Sequence, residues 1–186
     1  TDEATKARAL NELIQNEKKK ITHTSYKYSD LLVAKTESKD SLKYYGNTMA
    51  QLLQTTLSKE IASKDLYSIT LYSETKDAST LQDLVSNKKR LDAVLQKMIS
   101  VSVPPSAISY HILTVNRVAS YRDLVKNLST ADADPMRASF VLNDYTNTTL
   151  LVFRLYEQFS NYFTSRGITF DSKEPGFIFV TGYTIE

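Results

Sequence analysis

No cysteine occurs in this chain, which excludes disulfide bridges, thiolate metal sites and a cysteine nucleophile. Tryptophan is missing as well, and histidine is limited to His23 and His111. Neither histidine has a glutamate three residues before it, so the Glu-x-x-His pattern of di-iron bundles is absent and no metal is expected. Four glycines and four prolines leave little material for tight turns and point to long regular elements. No glycine-rich loop stands ready to cradle phosphate, and no G-x-S-x-G elbow holds a serine, so neither a cofactor nor serine catalysis is expected. No apolar run approaches the roughly 18–20 residues of a membrane span. An excess of one charge sign is lacking too. The net charge is +2, and the run Lys88, Lys89, Arg90 reads as a solvated helix face, so nucleic acid is not an expected partner.

What remains is the composition of a single globular domain spanning 1–186, 41% hydrophobic and 24% charged. Its most regular stretch is 134–167. Asp134 is a good N-cap, Pro135 suits the first helical position, and Gly167 suits the left-handed conformation that closes a helix. Between them Ala138, Val141, Tyr145, Thr148, Val152, Leu155, Phe159 and Tyr162 recur at steps of three and four. One uninterrupted rod of about 48 Å is expected, with an apolar seam that needs other rods beside it.

The remaining segments supply those rods. Residues 2–21 begin with acids and end in Lys18, Lys19 and Lys20, matching the dipole of a helix whose stripe is thin. Residues 22–39 lose the helical period and read as an extended connector, with Tyr26 and Tyr28 available to pack on the bundle. Ser38 or Asp40 caps a helix to about Leu57, interrupted by Gly46, where close approach of a neighbouring helix is expected. A short helix over 59–75 follows. Asp77 or Ser79 caps the next, to about Ser100, and Ser106 after two prolines caps another through Leu128. Residues 168–186 carry Phe170, Pro175-Gly176, Phe177 and Phe179, and read as a small hairpin or apolar tail packed on the bundle. The expected fold is all-α: a left-handed antiparallel bundle of four to five main helices with a short β-like C-terminal appendage.

Several fragments taken in order, Tyr45-Gly46-Asn47, Val103-Pro104 ahead of His111 and Asn116, Asp134-Pro135, and Glu174-Pro175-Gly176-Phe177, resemble uncharacterised bacterial proteins with an N-terminal membrane anchor and an extracytoplasmic helical domain. The resemblance spans 40–177. It implies an exported or cell-surface domain tethered at its N-terminus, carries no activity and assigns no residue a role. The chain opens on Thr1 rather than Met, from which a removed signal peptide, anchor or tag is expected, and membrane contact is expected only through that segment.

The missing catalytic ingredients point to a non-catalytic interaction or scaffolding domain with a protein partner, docked through Phe177, Phe179 and Tyr183 of the tail. A different reading makes the bundle a sensor, with a small ligand between the 106–128 and 135–166 helices near His111, Asn116, Tyr145 and Tyr156. A buried polar cavity there would favour that reading; a dry, filled core would count against it. A third, hydrolytic reading would need acids and a concave pocket gathered around His111.

Overall fold

The computed structural model describes residues 2–21 and 23–181; Tyr183, and the side chains of Lys18 and Lys20, lie outside what it describes. The chain forms an all-α bundle. Helices α1 (Glu3–Lys20), α2 (Lys39–Thr56), α3 (Lys59–Thr75), α4 (Gln82–Ile99), α5 (Ile108–Leu128), α6 (Pro135–Asn143), α7 (Tyr145–Thr164) and α8 (Ile178–Thr181) follow one another along the chain, with longer connections between α1 and α2 and between α7 and α8. The one extended pairing among the described residues is parallel, between β1 (Leu32–Val33) and β2 (Ser102–Val103), and it ties the connector to the approach of α5.

The helix starts follow from side-chain chemistry. Ser38 and Ser41 cap α2 reciprocally, each hydroxyl accepting from the other's backbone N–H at 3.1 and 2.8 Å. Ser58 accepts from the Ile61 N–H at 3.2 Å and starts α3 two residues after α2 ends. Asp77 caps a 3-10 turn, Ala78–Leu81, that leads into α4. Ser106 does not cap α5: it lies inside the 3-10 turn Pro105–Ala107, and its hydroxyl pairs instead with the Tyr162 hydroxyl at 2.7 Å.

Helix α5 is the axis of the molecule. It packs against α4 on one side and α6 and α7 on another, and buried residues from His111 to Leu128 fall on more than one face. A helix apolar on several sides belongs in the middle of a bundle.

The expected single rod over 134–167 is broken. Asp144 ends α6, its N–H turning back to the Val141 carbonyl at 3.1 Å, and α7 restarts at Tyr145. No proline or glycine marks the break. Tertiary contacts decide it: α6 packs against α1 and α5, while Tyr145 opens α7 with its hydroxyl 3.3 Å from the Ala62 carbonyl of α3.

Among the described residues the C-terminal appendage is helical over 175–181 and not β-like. Pro175–Phe177 is a 3-10 turn that runs into α8, and Gly176 and Phe179, three apart, face inward as a helical spacing requires. Glu174 accepts from Asn47 at 3.2 Å and pairs with Lys43 at 2.8 Å, while Asn47 accepts from the Gly176 N–H at 2.8 Å. These contacts seat the tail on α2.

Gly46 has its reason here. A methyl group in its place would overlap the Phe170 ring and stand 2.9 Å from Phe163, and one at Gly176 would overlap Phe170 from the other side. The close neighbour expected at Gly46 is thus a ring from the tail together with one from α7. Gly46→Ala should lower the unfolding free energy by about 2 kcal/mol, overpacking outweighing the roughly 1 kcal/mol that alanine adds to a helix interior. A urea midpoint that instead rises would show that Phe170 yields freely.

Candidate functional site

A cleft of about 670 Å³ opens between α5 and the α6–α7 break, with α1 and the connector along its edge. That volume is in the range of small-molecule sites. Its floor is a polar stripe on α5, Arg117, Ser120, Asp123 and Asn127, which recurs at steps of three and four beside the apolar seam. Asn143, Asp144, Asn147 and Thr148 face it from the opposite wall. Leu124, Phe140, Val141 and Leu151 make the apolar part, and α1 leans over it with Ile14, followed by Ile21 and His23. The break at Asp144 has a direct effect here, since it changes the course of the wall that α6 and α7 present to α5.

The connector is held against the same helix by backbone recognition. Asn116 accepts from the Tyr26 N–H at 2.7 Å and donates to the Tyr26 carbonyl at 3.1 Å, as a neighbouring strand would. Asp123 accepts from the Thr24 N–H at 2.6 Å and from Arg122 Nε at 2.8 Å; Arg122 in turn reaches Asp92 at 2.6 Å. Asp123 is therefore already neutralised. Arg117 is different. One of its nitrogens, Nη1, donates to the Leu151 carbonyl at 3.3 Å and to Gln158 at 3.1 Å, and among the described residues it makes no ion pair. Burial, with the nearby Arg154 charge adding to it, draws its pKa below the ordinary arginine range.

Of the four residues expected to line a pocket, only Asn116 borders this cleft. His111 is wholly buried elsewhere: its Nε2–H donates to the Met98 carbonyl at 3.0 Å, so Nδ1 accepts from the Tyr45 hydroxyl at 2.9 Å. Desolvation pushes its pKa down to about 4 against the raising effect of the Met98 bond, and the ring is neutral. Among the described residues no acid is bonded to it. Tyr156 is buried with its ring 6.2 Å from that of Phe179. Tyr145 points to Asp65, not to a ligand.

Of the tail residues expected to meet a partner, Phe179 is placed inward and Phe177 partly so, while Tyr183 lies outside the described residues. Phe179 is 2% exposed and stacks among Phe159, Phe163 and Phe170 with centroids 5.3–6.2 Å apart, and Phe177 is half-buried against the core. The tail thus adds Phe170 and Phe179 to the aromatic run of α7.

Asp65 is the polar residue that sequence reading missed. It is 2% exposed, and its carboxylate accepts from Asn87 Nδ2 at 2.8 Å, from Tyr121 at 2.6 Å and from Tyr145 at 3.2 Å. Burial raises its pKa from the usual value, and those three donors hold it back. The network joins α3, α4, α5 and α7 but lies away from the cleft, so its part is structural. Among known proteins, no family model, no curated protein and no solved structure matches this chain.

Proposed function

We propose that this domain is a non-catalytic sensor that holds a small ligand in the cleft between α5 and the α6–α7 break and reports its presence through α1. The observation that carries this reading is the cleft itself, about 670 Å³ with a polar stripe on the central helix, polar side chains facing it from the α6–α7 break, and apolar residues contributed by both walls. α1 suits the reporting role. It packs chiefly on α6 and keeps Leu10 57% and Leu13 44% exposed, so few contacts oppose its movement, while Ile14 meets the cleft. The exported, N-terminally tethered setting implied by the resemblance belongs to the same proposal, because a helix between an anchor and a ligand cleft can pass a signal to the membrane. No helix among the described residues is long and apolar enough to cross a membrane.

Native mass spectrometry of gently purified protein tests this. Mass above 21.1 kDa that is lost on denaturation is the expected result. A bare 21.1 kDa species whose melting temperature no compound in a metabolite panel raises would overturn it. That outcome would favour a second reading, an interaction module using the exposed Leu10 and Leu13 of α1 for a protein partner.

A further inference from the structure

Two charges at the cleft have no ion-pair partner among the described residues. Arg117 stands where α5 meets Leu151, and Asp144 stands at the α6–α7 break. The third charge in the lining, Asp123, is satisfied by Arg122 and the Thr24 backbone. Asp144 and Leu151 are seven residues apart, which along a helix at about 1.5 Å per residue separates their backbone positions by roughly 10 Å, and Arg117 is bonded at the Leu151 end. Between them lies the apolar wall of Leu124, Val141 and Leu151.

We infer that the cleft takes an elongated zwitterion of the amino-acid class, its carboxylate on Arg117 and its ammonium toward Asp144. This rests on the ligand-binding reading above and gives it a chemistry. The cation end is the anchor. Arg117 is partly desolvated beside Arg154 with only one nitrogen bonded by the protein, and a carboxylate offers its planar fork what the chain withholds. Asp144 is exposed and acts at the rim, where it disfavours a second negative charge and attracts a positive one. A spacing near 10 Å is too long for the head group of a single α-amino acid. It fits an ω-amino acid, or a peptide of about three residues with free termini, at roughly 3.3–3.6 Å per residue.

The test is an amide chemical-shift titration of the whole domain with four probes of one chain length: 8-aminooctanoate, octanoate, octylamine and 1-octanol. 8-Aminooctanoate is expected to bind about ten-fold tighter than 1-octanol, shifting the amides of Leu124, Asp144 and Leu151. Arg117→Gln should erase the advantage of the two carboxylates and leave octylamine unchanged, and Arg117→Lys should restore part of it. Asp144→Asn, at an exposed position that does not threaten folding, should erase the advantage of the two amines. If 8-aminooctanoate binds no tighter than 1-octanol while the octanol still shifts cleft amides, the cleft is a ligand site and the zwitterion assignment is wrong. If no probe shifts those amides, the ligand-binding reading falls with it.

Discussion

Asp65→Ala is expected to lower the unfolding free energy by about 4 kcal/mol, measured by urea denaturation at neutral pH. The carboxylate is the shared acceptor for Asn87, Tyr121 and Tyr145, all of them buried, and alanine strips a partner from each at once. Leaving a buried donor unsatisfied carries a penalty of roughly 1–3 kcal/mol, and within one network such penalties are not additive, which is why the total stays near 4. Arg90 adds to the loss. It donates to Asn87 and to the Thr56 carbonyl at the end of α2, and Asp65 supplies the negative charge that favours keeping it buried there. Asp65→Asn keeps the shape and an acceptor oxygen but sets an amide against the Asn87 amide, so about half the effect is expected. A loss below about 1 kcal/mol for Asp65→Ala would mean that water reaches these hydroxyls and that the network does not secure α3.

Acidification should destabilise the domain through His111. Its pKa is about 4 in the fold against 6.5 when solvated, so the folded state holds the neutral ring more strongly than the unfolded chain does. The stability this provides is fully present above pH 6.5 and is lost as the pH falls toward 4. The gap between 6.5 and about 4 corresponds to a loss of about 3 kcal/mol across that window. Asp65 runs the other way. Its pKa is raised in the fold, so its contribution improves as the pH drops, and the wild-type curve alone mixes the two groups. Comparison with His111→Gln separates them. The variant should be less stable at neutral pH, because the Tyr45 and Met98 bonds are disturbed, yet show a flatter slope between pH 6.5 and 4. Parallel slopes for the two proteins would exclude His111 as the acid-sensitive group.

Much of the architecture was legible because it depends on local chemistry. Ser38, Asp77 and Asp134 each cap a helical segment with a side-chain oxygen, and a cap is readable from a residue and its near neighbours. The connector over 22–39 lost its helical period, and 23–38 contains only a 3-10 turn and the two residues of β1. What escaped reading has a common cause. The break at Asp144 has neither proline nor glycine to announce it, and the heptad stripe runs through it undisturbed. Phe177 and Phe179 show the same apolar run whether a strand or a helix carries them, and the packing of Phe179 on Phe159 and Phe163 is a tertiary contact that the run does not announce. The cleft did leave a trace: Arg117, Ser120, Asp123 and Asn127 form a second stripe on α5 that the search for apolar seams passed over.

By itself, then, the sequence determined that this protein is an all-α bundle lacking thiol chemistry, because period, capping and composition act within a few residues of one another. Only the tertiary structure decided which polar residues are spent and which are left over. Asn116, Asp123, His111 and Tyr145 find partners 13 to 99 residues away, while Arg117 and Asp144 face a cleft without an ion-pair partner among the described residues. Hydrogen bonding and desolvation are set by what surrounds a group in space, and a residue's chemistry in one dimension does not say what will surround it.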